Sequence, residues 1–344
     1  MGKRFWIDVT SWVRGPYSSV GLCGHRLLTS MRHLRPSDAI EAVSRVAAGS
    51  SVRRVSLMEK LMGDPKVTYY SVDPVLAPML RSQKCITVHD TWTLQPNPYQ
   101  SETFQKKQRP RFLRALNRAD RIVVPSQYTC EKLIQFQPSL ESKISVIPWG
   151  PLLETEALDI NTQSDIHAYL KEQRPFILSV GNLEYRKNHK VLFEAFLSSN
   201  SEVDLILVGG RGYGFEDVHH ALRGLQETVL KGQRVHWFSG ISNAEITALY
   251  KRASLVVQPS LEEGFGLPAL EAMALGAKLL LSDIPPFREI AESYARYVSL
   301  NVSGKVWGQA IDEALSEDTV SSESSQYLDW EEVARRYLEV LDQC

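Results

Sequence analysis

Two α/β domains, each built on a parallel sheet, are predicted by three observations. The chain has 344 residues, beyond the usual size of one domain, and 43% of them are hydrophobic, enough for two ordinary cores. Short apolar runs alternate with segments long enough for helical crossovers, which favours parallel strands. The alternation lapses from Pro148 to Gln173, a polar stretch containing Pro151, and starts again at Pro175. These features divide the chain into a first Rossmann-like domain at 1–150 and a second at 151–329, with a closing helix at about 330–344.

In order, Phe5 to Val9 reads as the first strand, followed by a loop with Gly15-Pro16 and a helix from about Gly21 to Leu34. Lys84 to Val88, Arg121 to Val124 and Ile144 to Ile147 are further strands. The prolines at 96 and 98 make Trp92 to Tyr99 an irregular loop. Strands of the second half fall at Phe176 to Val180, Asp204 to Val208, Val235 to Phe238, Leu255 to Gln258 and Lys278 to Ser282. Ser316 to Ser325 is a polar tract that reads as a solvated loop. Val333, Tyr337, Val340 and Leu341 form a helical stripe suited to packing on a domain surface.

The most informative stretch is Pro259-Ser260-Leu261-Glu262-Glu263-Gly264-Phe265-Gly266-Leu267-Pro268-Ala269-Leu270-Glu271-Ala272-Met273. Proline is tolerated in the first turn of a helix, so Pro268 sets a helix start near Gly266 or Leu267. Glu263 then lies before the helix and Glu271 within it. They suit two parts of an extended ligand better than one acid/base dyad. The N–H groups at the helix start, with small Gly264 and Gly266 beside them, favour an anion such as a phosphate. Either glutamate alone could instead be a cap or a solvated surface residue.

This string resembles the donor-binding signature of family 4 retaining glycosyltransferases, which have the two-domain GT-B fold. Further matches follow in order: Phe176-Ile177-Leu178-Ser179-Val180-Gly181, Glu184-Tyr185-Arg186-Lys187-Asn188-His189, Leu207-Val208-Gly209-Gly210, Phe238-Ser239-Gly240-Ile241-Ser242 and Ser282-Asp283-Ile284-Pro285-Pro286-Phe287-Arg288-Glu289-Ile290. The first half matches more loosely, at Val88-His89-Asp90, Ala119-Asp120-Arg121-Ile122-Val123-Val124-Pro125-Ser126 and Ile144-Ser145-Val146-Ile147-Pro148-Trp149-Gly150. The chain departs from the family continuation at Glu292-Ser293-Tyr294-Ala295-Arg296, where Gly-Asp is common.

The resemblance implies two Rossmann-like domains facing across a cleft, with the last helix returning to the first. It implies a retaining transfer of a hexose, mannose by likeness to bacterial mannosyltransferases, from a GDP- or UDP-linked donor. The acceptor would be a hydroxyl of a saccharide or lipid-linked saccharide, in cell-surface polysaccharide or lipopolysaccharide synthesis. Glu271 would hold the ribose hydroxyls, and Glu263 would contact the sugar and the charge that develops at its anomeric carbon. Arg186 and Lys187 would lie on the diphosphate, with Gly264, Phe265, Gly266, Leu267, Gly181 and Gly210 lining the donor site. His89 would face the transferred sugar and Asp90 the acceptor. Gly21 falls where the family has a glycine-rich loop, though Ser18 to Arg26 matches it inexactly. Domain closure would exclude water.

The residues alone bound the chemistry further. A departing diphosphate needs cations or a divalent metal. No Asp-x-Asp occurs, so a metal-independent reaction with no cofactor is expected, carried by Arg186 and Lys187 as the resemblance implies, although that pair alone would read as a solvated basic turn. The turn Gly209-Gly210-Arg211-Gly212-Tyr213-Gly214 is not a full dinucleotide fingerprint. A sugar-nucleotide epimerase of the same fold, and a non-catalytic nucleotide-sugar scaffold, remain as alternatives. Glu263→Ala is expected to cut transfer and leave the fold intact.

Lys and Arg total 39 against 40 Asp and Glu, a net charge of −1, so nucleic acid is not an expected partner. The four cysteines are far apart in sequence, and no eighteen apolar residues run together, consistent with a cytoplasmic protein. Lys106, Lys107, Arg109, Arg111, Arg114 and Arg118 crowd with Phe104, Phe112, Leu113 and Leu116. The 104–118 stretch therefore reads as a peripheral contact with the inner membrane face, a grip on a lipid pyrophosphate, or a solvated helix.

Overall fold

The computed structural model describes residues 3–14, 18–46, 52–76, 81–153, 164–229, 232–317 and 327–344. The predicted Gly15-Pro16 loop, residues 154–163 of the predicted linker and residues 318–325 of the polar tract lie outside them. The chain divides into two compact units, Met1–Leu152 with Tyr327–Cys344, and Leu153–Gln326.

Unit 1 contains β1 (Arg4–Asp8), β2 (Ala39–Ser44), β3 (Arg53–Arg54), β4 (Thr68–Ser71), β5 (Gln83–Thr87), β6 (Arg121–Val124) and β7 (Ile144–Val146). They form one parallel sheet in the order β3-β2-β1-β4-β5-β6-β7. Its helices are α1 (Thr10–Arg14), α2 (Ser19–Leu34), α3 (Leu57–Met62), α4 (Glu102–Arg118) and α5 (Gln127–Phe136). Serines at 18, 56, 101 and 126 cap α2, α3, α4 and α5, each accepting a backbone N–H of the first turn. The sequence reading lacked β2, β3 and β4, which are two strands at one edge of this sheet and its central strand.

Unit 2 contains α6 (Asp165–Lys171), β8 (Phe176–Val180), α7 (His189–Ser198), β9 (Asp204–Val208), α8 (Phe215–Thr228), β10 (Val235–Phe238) and α9 (Asn243–Arg252). It continues with β11 (Leu255–Gln258), α10 (Leu267–Ala274), β12 (Leu279–Ser282), α11 (Pro285–Ala291), β13 (Arg296–Val298) and α12 (Gly304–Ser316). The parallel order is β10-β9-β8-β11-β12-β13. Ile177, Leu205, Leu207, Val257 and Leu280 are buried against α7, α8 and α12, where Trp307 is also buried. Asp204 enters this core at the start of β9 because Arg174 binds both its oxygens, at 2.7 and 2.9 Å, and the Tyr169 hydroxyl donates to it at 2.9 Å.

The last helix, α13 (Trp330–Asp342), belongs to unit 1 and packs on α2, burying Val333, Ala334, Tyr337, Leu338, Val340 and Leu341. Arg35 fixes its end with two bonds to Asp342, at 3.0 and 2.6 Å. In both sheets the chain reverses its direction of travel beside the first strand, between β1 and β4 and between β8 and β11. Ligands of doubly wound sheets bind outside the carboxyl ends of strands at such a point. Among the described residues no helix is long and apolar enough to cross a membrane.

Candidate functional site

The carboxyl ends of β8 and β11 carry the residues that the sequence singled out in unit 2. After β8 the backbone turns at Gly181, φ 153°, and Lys187 folds back across it, so that a Cβ there would stand 2.9 Å from Lys187 Cε. Tyr185–Lys187 form a single 3-10 turn, ended by Asn188 in the left-handed region. The loop after β11 is tied to this turn by Leu261 N donating to Arg186 O at 2.8 Å.

Glu263 receives both cations. Arg186 Nη1 donates to its Oε2 at 2.6 Å and Lys187 Nζ to its Oε1 at 2.8 Å. Arg186 also binds Glu184 at 2.6 Å and the Glu262 carbonyl at 3.0 Å. Glu263 and Lys187 are both buried. Burial alone would raise the Glu263 pKa, but Arg186 and Lys187 outweigh it and hold the group down at about 2. The carboxylate stays ionised, held between the two cations.

Glu271 is also buried, about one turn into α10, but its charge state is the reverse. Burial pushes its pKa up to about 8, against smaller lowering effects of Tyr250 and Lys187. The Tyr250 hydroxyl donates to Pro268 O at 3.1 Å and makes a long contact to Glu271 Oε2 at 3.5 Å. A protonated Glu271 both donates and accepts a hydrogen bond, which matches a pair of vicinal hydroxyls. Gly266 caps α10 with φ 110°, and a Cβ there would meet Phe287 and Ile290 at 2.9 Å. Phe265 and Leu267, either side of it, are buried.

Gly209 and Gly210 serve packing inside unit 2. A Cβ on Gly209 would lie 2.1 Å from Gly181 O, and Gly210 N donates to Asn182 Oδ1 at 3.1 Å. The latter N–H is therefore engaged within the protein.

In unit 1, Gly21 lies in the first turn of α2, buried, and its N–H donates to Ser18 Oγ at 3.1 Å. His89 and Asp90 follow β5 and line a cavity of about 260 Å³ together with Asp73, Gln100, Gln108 and Phe112. His89 Nε2 lies 2.6 Å from Val72 O, which makes Nε2 the protonated nitrogen. Burial lowers the His89 pKa to about 4, so the ring is neutral. Asp90 Oδ1 accepts from Trp92 N at 3.2 Å. Asp73 carries Arg45 at 3.0 Å, and Arg45 in turn binds buried Asp8 at 2.6 Å.

Sequence reasoning did not assign roles to Glu184 and Tyr250. Glu184 stands in the quoted Glu184 to His189 string, which was a usable signal. Tyr250 had none, because its approach to Glu271 depends on α9 lying beside α10.

Two parallel-sheet α/β units, with acidic and basic groups at the carboxyl ends of β8 and β11, are the form expected of a GT-B transferase. Comparison with protein families matches residues 162–336 to "Glycosyl transferases group 1" and residues 68–151 to "Glycosyltransferase Family 4". The chain belongs to the group 1 glycosyl transferases. It is similar to the serotype-specific mannosyltransferase WbdA of Escherichia coli, at 26% identity over 275 residues, covering 75% of this chain and 33% of WbdA. It is also similar to the O-antigen chain mannosyltransferase RfbU of Salmonella typhimurium, at 32% identity over 237 residues, covering 68% of this chain and 61% of RfbU. The match thus spans about a third of WbdA and under two thirds of RfbU. Among solved structures, Anabaena Alr3699/HepE in complex with UDP and glucose superposes with a TM-score of 0.74 at 16% identity, covering 99% of this chain and 100% of that one.

Proposed function

We propose that the chain transfers a hexose, mannose as the first choice, from a nucleoside-diphosphate sugar to a hydroxyl of a saccharide or lipid-linked saccharide, with retention and without a metal. The observation that carries this reading is the cluster of Arg186 with buried Glu263 and Lys187 at the β8/β11 reversal, with neutral Glu271 one turn into α10. The names of WbdA and RfbU support mannose and an O-antigen saccharide.

On this reading the diphosphate docks on Arg186, Lys187 and the N-terminus of α10, and Glu271 holds the ribose. Glu263 is displaced from part of its ion pair and turns to the sugar hydroxyls. The bond between the anomeric carbon and the phosphate oxygen breaks as the acceptor oxygen bonds the same face of that carbon. The acceptor proton passes to the departing phosphate. Arg186 and Lys187 stabilise the negative charge that develops there, the kind of effect whose loss costs about 10²–10³ in rate. Neutral His89 shares a hydrogen bond with a sugar hydroxyl, and Asp90 orients the acceptor. The outward cations of α4 rest on an anionic membrane surface, which would bring a lipid-linked acceptor to the enzyme.

The test is consumption of GDP-mannose and other sugar nucleotides, with and without saccharide acceptors. Glu263→Gln is the better variant, contrary to the expectation that Glu263→Ala spares the fold. Arg186 keeps Glu184 in either variant, but alanine takes the acceptor away from buried Lys187, a loss of about 3–5 kcal/mol, whereas glutamine keeps a carbonyl oxygen within reach of it. Glu263→Gln should lower transfer about 100-fold or more. Acceptor-independent conversion of the donor would show an epimerase instead, and binding without turnover a scaffold.

A further inference from the structure

α3 is turned inside out. Its large apolar side chains Leu57, Met58 and Leu61 are 73%, 70% and 45% exposed, and none of its six residues is buried. Positions i, i+1 and i+4 share one side of a helix, so the three form a single apolar face. Local chemistry nonetheless holds the helix together. Ser56 Oγ accepts Glu59 N at 3.2 Å, the Glu59 carboxylate accepts Ser56 N at 2.8 Å, and Gly63 N closes on Glu59 O at 2.9 Å. Single exposed apolar residues are ordinary, whereas a cluster on a capped helix marks a contact surface.

The sheet register tells which layer α3 occupies. Trp6, Tyr69 and Lys84 are partners across β1, β4 and β5, and Ile86, two residues on, partners Ile122 of β6. All therefore lie on one face of the sheet. Val55 and Val67, which bracket α3, pack on Trp6 and Tyr69, while Phe112, Ala115 and Leu116 of α4 pack on Ile86 and Ile122. Leu76 touches both clusters. α3 and α4 thus share a layer, as right-handed crossovers require. Met62 O, at the end of α3, accepts Arg81 N at 2.8 Å just before β5, which leads into α4.

The solvent side of α4 presents Lys106, Lys107, Arg109, Arg111, Arg114 and Arg118, with Phe104 46% exposed. Its one acidic residue, Glu102, binds Lys106 at 3.1 Å. Beside α3, Arg53 and Arg54 are exposed, and Glu41 and Glu59 both bind Arg53, at 3.0 and 2.7 Å. Lys60 donates to Arg45 O. An apolar wedge and a polybasic helix in one layer are the two signals that stable but reversible attachment to a bilayer requires. A second copy of the chain fits poorly. Three side chains fall far short of the roughly 1,200–2,000 Å² of a stable interface.

We propose that Leu57, Met58 and Leu61 insert into an anionic lipid surface on which the cations of α4 rest. This rests on the membrane reading of α4 given above and adds the element that anchors it. Flotation of the full chain with vesicles of phosphatidylglycerol and phosphatidylethanolamine, and with phosphatidylcholine alone, tests it. The wild type should float with the anionic vesicles and not with the neutral ones. The triple variant Leu57→Ser, Met58→Ser, Leu61→Ser should partition about tenfold more weakly, with unchanged circular dichroism and unchanged donor consumption. Lys106→Glu with Lys107→Glu reports on α4 separately, since wild-type flotation of that variant refutes the α4 reading. Wild-type flotation of the serine variant refutes the wedge. Concentration-dependent dimers abolished by the serine substitutions, without flotation, would assign the face to a second copy and also overturn the proposal.

Discussion

Glu263 and Glu271 lie on one loop-helix segment, both buried, yet with opposite protonation at neutral pH. The difference comes from neighbours: two cations on Glu263, a tyrosine hydroxyl beside Glu271. It has a consequence for stability. Below the ordinary value of 4.5, Glu271 is protonated folded or unfolded and contributes no pH dependence. From 4.5 to about 8 the unfolded chain gives up that proton and the folded chain keeps it, so stability falls by up to about 1.4 kcal/mol per pH unit. Glu263 acts in the other window, with stabilisation present above 4.5 and lost as pH falls toward 2. Melting temperature measured from pH 5 to 8 should fall less steeply in Glu271→Gln than in the wild type. Identical slopes would mean Glu271 ionises normally. At this scale the sequence named the residues through their motif, but not their contacts. Lys187 and Glu263 are 76 positions apart, and spacing carries no information about a bond that the packing of β8 against β11 creates.

At the scale of elements, α10 shows how a start signal and a site coincide. Pro268 marked its beginning in the sequence, and the helix runs from Leu267. What the sequence could not give is the reason glycine stands at 266, where both the left-handed backbone and the side chains of α11 exclude a Cβ. Gly266→Ala should cost roughly 1–3 kcal/mol and misplace the first turn of α10, weakening nucleotide binding in a thermal-shift titration. Unaltered binding and melting would remove that constraint. Strands were legible where they are apolar and continuous, as in Leu255–Gln258. β2 is interrupted by Glu41, β3 has two arginines, and β4 reads Thr-Tyr-Tyr-Ser, so none has an apolar run. The burial of β2 and β4 comes from neighbouring strands, as with Tyr69 and Tyr70, which are fully buried, while both residues of β3 are exposed. β13, only three residues long, escaped for the same reason.

For the whole molecule, the parallel α/β class followed from alternation and length, and the GT-B assignment from the motif series. The dense matches at 176–290 fall within the 162–336 family match, and the looser first half fits the freedom of a unit whose polar cavity residues, such as Asp73 and Gln108, belong to no motif. Tyr337 of α13 shows what holds the closing helix. Its hydroxyl accepts from Trp149 Nε1 at 3.1 Å and lies 3.1 Å from Thr87 Oγ1, beneath the buried stripe against α2.

Because residues 327–344 return to unit 1, unit 2 is an insertion within a discontinuous partner, joined to it by two covalent strands. A single engineered protease cleavage between 153 and 164 should therefore leave a nicked species that migrates as one particle under native conditions and parts into two only in denaturant. Spontaneous dissociation after that one cut would show that the grip of α13 on α2 is too weak to stand in for the severed peptide bond.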